Sequence, residues 1–221
     1  MSRTVLAIDL GTSGAKLALY DAAGASAVEC VVAYGTHFPA PGRHEQRPED
    51  WWQAVQNGIR QITADPRADA ARIGAIAISG HSLGCVPLAS DGRLLCDSVP
   101  IWSDGRAARQ ARDFFARQPE DNWYLTTGNG FPPPLYTLFK TMWLRDELPE
   151  IFAQTRHTLG TKDFINFRLT GTIATDPSYA SGSGLYELTA GRYVAGYAQA
   201  AGVSLGLFPE IRPSSAPVGP V

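Results

Sequence analysis

Three short stretches combine residue types that could do chemistry. Asp9-Leu-Gly11-Thr12-Ser13-Gly14-Ala-Lys16 follows an apolar run with a carboxylate, two glycines, two hydroxyls and a lysine. A tight Gly/Ser/Thr turn presents several backbone N–H groups to one phosphate, Asp9 can reach a Mg²⁺ bridging phosphoryl oxygens, and Lys16 can neutralise charge. The same residues also suit a plain hairpin turn between two strands. Gly80-His81-Ser82-Leu83-Gly84 matches the Gly-x-Ser-x-Gly pattern of a nucleophile elbow, with Ser82 as the nucleophile of an α/β-hydrolase. Trp102-Ser-Asp104-Gly-Arg106 sets an aromatic plane, which C–H faces pack on, beside an acid and a base that can fix hydroxyls. Core packing of Trp102 beside a structural Asp-Arg ion pair fits those residues equally well.

These stretches must be positioned by the elements around them. Thr4 to Asp9 reads as a buried strand, Ala15 to Tyr20 as its return and Ala27 to Tyr34 as a third strand of a meander. The glycines of the first turn permit unusual backbone angles. Pro48-Glu49-Asp50 opens a helix whose Trp52, Val55, Ile59 and Ile62 recur at three- and four-residue steps, so this face packs on the sheet. Ile73 to Ser79 is a continuous apolar strand that reads as central and covered on both faces. The order is therefore βββαβ.

Beyond it, Pro87 to Leu95 predicts a hairpin around Ser90-Asp91-Gly92. A helix follows Arg106 through Phe115, and others fit Leu135 to Arg145, Lys162 to Leu169 before Gly171, and Arg192 to Ala201 before Gly202. A hairpin after Ser82 is at odds with a nucleophile elbow, which needs a helix there. A Ser, acid, His order also leaves only His157 downstream, and no His-Gly-Gly segment precedes the loop. Asp176 before Pro177 reads as a cap, and His37, His44 and His157 receive no role. Residues 209–221 carry four prolines and read as a linker, with 1–208 the folded unit.

Composition narrows the field. The chain has 221 residues, 44% of them hydrophobic and 18% charged, which suits a packed globular fold and excludes collagen-like or disordered classes. Nineteen Lys and Arg against 21 Asp and Glu give a net charge of -2, so no global field attracts nucleic acid or an anionic membrane. Any anionic ligand must be held locally. Cys30, Cys85 and Cys96 lack metal or disulfide spacing and read as small buried hydrophobes, consistent with a reducing compartment. The first apolar run is too short for a membrane span or a signal core.

The βββαβ order is that of the ribonuclease-H-like fold shared by actin, the chaperone ATPases and sugar kinases. Asp9-Leu-Gly-Thr-Ser13, His44-Glu-Gln46 before Trp51-Trp52, Pro100-Ile-Trp-Ser-Asp-Gly-Arg106, Pro134 to Lys140, Asp163 to Gly171 and Ala174-Thr-Asp-Pro-Ser178 closely resemble the FGGY carbohydrate kinases, xylulokinase-like members best. The resemblance covers almost the whole chain, in order. It implies an actin/hexokinase-like α/β lobe with a mixed five-stranded sheet, flanking helices and inserted helices.

The same resemblance implies transfer of the ATP γ-phosphoryl group to a hydroxyl of a ketopentose, polyol or related sugar, with Mg²⁺, by two closing lobes. Asp9 matches the family's organiser of Mg²⁺ and phosphate. Gly11, Thr12, Ser13 and Lys16 match its phosphate-facing turn, with Lys16 where relatives often carry Arg. His81, Ser82, Leu83, Trp102, Asp104 and Arg106 fall on the sugar side. Xylulokinases have Gly-Gln-Met-His-Gly where this chain has Gly80 to Gly84, which leaves another pentulose, a polyol or a deoxy sugar open. The family's general-base aspartate and most adenine contacts belong to a second, C-terminal lobe, so this polypeptide alone is expected to be inactive. The expected partners are a small sugar or polyol, ATP and that lobe, without nucleic acid or membrane, in the cytoplasm; a homodimer is left open. The alternatives are a sugar- or nucleotide-binding module without chemistry, and the hydrolase using Ser82.

Overall fold

The computed structural model describes residues 3–130 and 132–221. Strand β1 (Thr4–Leu10) turns into β2 (Gly14–Tyr20), and β3 (Ser26–Ala33) completes an antiparallel meander. Strand periodicity explains which residues point where. Leu6, Ile8 and Leu10 take the inward face of β1, which leaves Asp9 on the outward one. The register sets Asp9 across from Lys16 on β2 and Ser79 on β6 (Ile73–Gly80), which runs parallel to β1.

Between the meander and β6 lie a hairpin, β4 (His37–Ala40) and β5 (Arg43–Gln46), and helix α1 (Pro48–Ala64). The buried stripe of α1 is Trp51, Ala54, Val55, Gly58 and Ile62. Val55 and Ile62 are buried as expected, and Trp52 and Ile59 pack partly buried against the same core. Trp51 takes the fully buried place, because its indole N–H finds an acceptor in Gln46 at 2.8 Å while Trp52 lies half-exposed beneath the Arg168 guanidinium. Gly58 lets the helix seat on β2, since a Cβ there would stand 2.4 Å from a Leu17 methyl.

The fold is the expected α/β one with a mixed sheet, but its order is β3-β2-β1-β6, four strands among the described residues instead of five. Strand β6 is also an edge and not a covered centre: none of its residues is buried. Its outer edge faces an open groove of about 790 Å³ whose far wall is the segment 212–221. Pro213, Pro217 and Pro220 in that wall lack the N–H groups a ladder requires.

The rest of the chain builds a second layer. Its elements are β7 (Val86–Leu88), β8 (Val99–Pro100), α2 (Ala108–Phe115), α3 (Glu120–Thr127), α4 (Thr137–Glu147), α5 (Pro149–Gln154), β9 (His157–Leu159) and α6 (Thr161–Thr170). There follow β10 (Ala174–Thr175), α7 (Pro177–Ser181), β11 (Tyr186–Glu187), β12 (Arg192–Tyr193), α8 (Ala195–Ala201) and β13 (Glu210–Ile211). The expected hairpin forms, with Ala89 donating to Arg93, as do the helices before Gly171 and Gly202, both glycines left-handed. The last helix is shorter than expected because Arg192 and Tyr193 pair with β11 instead. Strand β13, at the start of the expected linker, pairs with β10.

Two apolar cores result. One joins the sheet to α1 and α6, and the other packs Phe139 edge to face with Phe114 and tilted against Trp123 among α2, α3, α4 and α8. No described helix is long and apolar enough to cross a membrane. The three cysteines are free thiols, Cys85 buried and the others half-buried.

The junction of β2 with β3 is tightest at Gly14, where a Cβ would stand 2.7 Å from the Val32 carbonyl oxygen. Gly14→Ala should destabilise the protein by about 1–3 kcal/mol, seen as a lower urea midpoint at unchanged slope.

Candidate functional site

The turn between β1 and β2 is anchored from behind. Gly11 N–H donates to Gly14 O at 3.0 Å, closing it. Gly11 O accepts from the Tyr34 hydroxyl at 2.5 Å, Thr12 O from Gln46 Nε2 at 2.6 Å, and Ser13 O from Tyr34 N–H at 3.2 Å. In a trans peptide the N–H points opposite to the preceding carbonyl, so anchoring these oxygens inward aims the Thr12 and Ser13 N–H groups outward. Neither meets an acceptor among the described residues. Contrary to the expectation of unusual backbone angles, Gly11 and Gly14 are not left-handed, and Gly14 serves close strand approach instead.

Asp9 is exposed beside this turn and has no cation within 4.0 Å among the described residues; Lys16 is its outward cross-strand neighbour. Trp102 is 41% exposed and donates its indole N–H to the Thr12 hydroxyl at 3.2 Å. Core packing is thus excluded for Trp102, which extends from the phosphate-type turn as an open aromatic face.

The loop after β6 is fixed differently. His81 lies half-buried, edge-on to Trp51, with one ring nitrogen 3.2 Å from Gln46 Oε1 and the other 3.2 Å from the Thr161 hydroxyl. Burial pushes its pKa down to about 4, with Lys140 adding to the shift. Ser82 and Leu83 are half-buried, and Leu83 is left-handed at φ 62°, the one such non-glycine among the described residues. No helix follows Ser82, and His157 pairs with Leu88 at the far end of the β7–β9 ladder, so the elbow geometry is absent.

Asp104 is fully buried and Arg106 nearly so. Asp104 accepts from Arg106 at 2.7–3.0 Å and from His44 N–H at 2.6 Å, and Arg106 reaches Glu45 at 2.6 Å and lies over Trp143. Against burial, which opposes it, these hydrogen bonds hold the Asp104 carboxyl below its usual range. The pair's polar atoms are thus committed to each other, β5 and the Trp102 loop.

Sequence reasoning assigned no role to Lys140, yet it ties the site together. Its ammonium, buried on α4, donates to Leu83 O at 2.7 Å, Ile101 O at 2.6 Å and Leu135 O at 2.7 Å. Burial pushes its pKa down to about 7, with Asp104 opposing the shift. A lysine with every neighbour from Leu138 to Met142 buried was the available signal. Gln46, Tyr34 and Thr161 were missed as well. Behind the loop, Lys162 pairs with buried Asp163 at 2.7 Å and lies over the Tyr179 ring, whose hydroxyl donates to His81 O. Burial pushes the Asp163 carboxyl up. Asp176 caps α7 through Tyr179 N–H, the structural role expected of it.

The predicted residues therefore form one connected patch at one end of the sheet. Asp9, Thr12, Ser13, Lys16 and Trp102 face outward, His81 is turned inward, and Asp104 and Arg106 support from beneath. Hard oxygen donors and backbone N–H groups beside an exposed indole can hold a phosphorylated ligand next to a polyol.

Comparisons with known proteins agree with that chemistry. Residues 4–221 match the FGGY family of carbohydrate kinases, N-terminal domain. The xylulose kinase of Escherichia coli is 33% identical over 80% of this chain and 36% of its own length. Among solved structures, the gluconate kinase of Lactobacillus acidophilus superposes with a TM-score of 0.87 at 27% identity, over 96% of this chain and 42% of its own. A ligand-bound xylulose kinase from the same organism gives 0.86 at 28%, over 95% and 42%. The chain thus spans less than half the length of these proteins.

Two outcomes follow from these buried nitrogen groups. His81, whose folded pKa of about 4 lies below the unfolded value of about 6.5, contributes fully above pH 6.5 and loses about 3 kcal/mol of stability as pH falls through 4. Melting curves from pH 7 to 4 should show that slope, and His81→Gln should flatten it. Lys140→Met leaves three carbonyls unpaired and should cost roughly 3 kcal/mol or more in urea unfolding.

Proposed function

The chain belongs to the FGGY family of carbohydrate kinases, matching its N-terminal domain, and from that premise we propose that it is the sugar-binding lobe of an ATP-dependent kinase acting on a hydroxyl of a ketopentose or similar polyol. One observation carries the reading. The outward Thr12 and Ser13 N–H groups, the unpaired Asp9 carboxylate and the exposed Trp102 lie on one connected surface. Amide donors can cradle phosphoryl oxygens, Lys16 can offset their charge, and the indole can pack against the C–H face of a sugar. Ser82 and Leu83, on the loop after β6, would face the acceptor.

Mg²⁺ takes one or two carboxylates and fills its shell with phosphate oxygens and water, so a single outward carboxylate flanked by two hydroxyls fits it. Asp9, with Thr12 and Ser13 beside it, would hold the ion, which would neutralise charge between phosphoryl oxygens.

Phosphoryl transfer to a hydroxyl also needs a group to take the proton. At this end of the molecule Asp104 is committed to Arg106, Asp163 to Lys162 and Asp176 to its cap, while His81 points inward. We therefore assign the base and most of the adenine site to a second lobe, with 1–208 as the sugar lobe and 209–221 leading toward its partner. Closure of the two would align donor and acceptor and exclude water. With Asp9 given to Mg²⁺, none of Asp104, Asp163 and Asp176 is left uncommitted, which also favours a second reading, a binding module without chemistry.

With ATP, Mg²⁺ and a panel of ketoses, polyols and aldonates, the chain alone should release no acceptor-dependent ADP. Adding a separately produced second lobe of a family member should restore turnover, cut roughly a hundredfold by Asp9→Asn. Acceptor-dependent turnover by the chain alone would overturn the division of labour. Acceptor binding with no turnover under any pairing would favour the binding module.

A further inference from the structure

The hydrogen bonds around Gln46 leave no freedom in how its amide is oriented. Gln46 Nε2 is 2.6 Å from the Thr12 carbonyl oxygen, which can only accept, and 2.7 Å from the Thr36 hydroxyl. Gln46 Oε1 is 2.8 Å from the Trp51 indole nitrogen, which can only donate. Two partners of fixed character therefore determine both ends of the amide. Since Oε1 is an acceptor, a proton on the His81 nitrogen 3.2 Å away, Nε2, satisfies that contact. Nδ1 is then bare and accepts from the Thr161 hydroxyl at 3.2 Å, the nearer of that hydroxyl's two ring-nitrogen contacts, the other being Nε2 at 3.5 Å. The wiring runs from the phosphate-type turn through β5 to the loop after β6, and on to the N-terminus of α6.

We propose that Gln46 and the Nε2–H tautomer of His81 act together as positioning residues that lock the β1–β2 turn and the 80–84 loop into a single unit. Neither residue presents a polar side-chain atom outward for a ligand. Their effect is exerted through the Thr12 carbonyl, whose orientation fixes the Ser13 N–H, and through the backbone of His81, which donates to Leu10 O at 2.9 Å at the mouth of the same turn. Displacing either segment alone breaks bonds in the other. On the kinase reading, which this consequence rests on, an acceptor that orders the 80–84 loop also sets the phosphate-facing amides, so acceptor and nucleotide bind with positive coupling.

The wiring can be tested on the chain itself without any ligand, so a failure of the kinase reading would not touch it. Long-range ¹H–¹⁵N spectra of the unmodified protein should show His81 as the neutral Nε2–H tautomer. Amide exchange should then separate two variants. His81→Leu should speed exchange of the Gly11 and Tyr34 amides, which close and anchor the turn, by about tenfold, whereas His81→Gln, able to donate to Gln46, should restore it. The Val28 and Leu19 amides at the far end of the meander should not change, which separates this effect from general destabilisation. A proton found on Nδ1, or turn amides indifferent to His81→Leu, would overturn the proposal. If His81→Leu does not fold, the tautomer alone decides.

Discussion

A single buried ammonium group holds the working end of this molecule together. In its charged form Lys140 has three protons, and three carbonyl oxygens, from the loop after β6, the segment before Trp102 and the turn before α4, converge on them. None of these segments has a regular ladder of its own at that point, so each would otherwise leave a polar backbone group facing an apolar interior. One cation replaces what three separate turns would need. It also accounts for the left-handed Leu83, a conformation unfavourable for a side chain that persists where surrounding contacts impose it.

Around that point the polar residues divide by direction. Those facing inward are saturated: Gln46 by four partners, Asp104 by Arg106 and His44, Asp163 by Lys162. Those facing outward, Asp9, Lys16 and the Thr12 and Ser13 amides of the β1–β2 turn, meet no such partner among the described residues. Such a division preorganises a surface, because the outward groups need not rearrange when something charged arrives. Within the Trp102-to-Arg106 block, Asp104 and Arg106 are braced by each other, His44 and Glu45, while Trp102 stands exposed.

Much of this was legible in the sequence, and the failures are instructive. The meander, the glycine turn, the hairpin at Ser90-Asp91-Gly92 and the helix stopped by Gly171 follow from local chemistry, which the fold leaves intact. The face of α1 was legible too, except for which tryptophan is fully buried, because Trp51 and Trp52 are adjacent and alike and the Gln46 side chain selects between them. Arg192 and Tyr193 belong to a strand because Tyr186 and Glu187 stand ready to pair with them, a relation no helical pattern could reveal. Lys140 escaped notice for a general reason: lysine is ordinarily a surface residue, and its burial here is set by carbonyls 39 to 57 positions away as well as by the nearby turn.

Strand β6 carries one further consequence. Ile73-Gly-Ala-Ile-Ala-Ile-Ser-Gly80 contains no charge and no proline, and along one side its peptide groups have no neighbouring strand among the described residues. Natural sheets usually guard such a margin with lysines, bulges or a covering helix. Left bare, the strand is adhesive toward any extended polypeptide, including an identical strand. Such a seam makes this chain a candidate for clumping at high concentration.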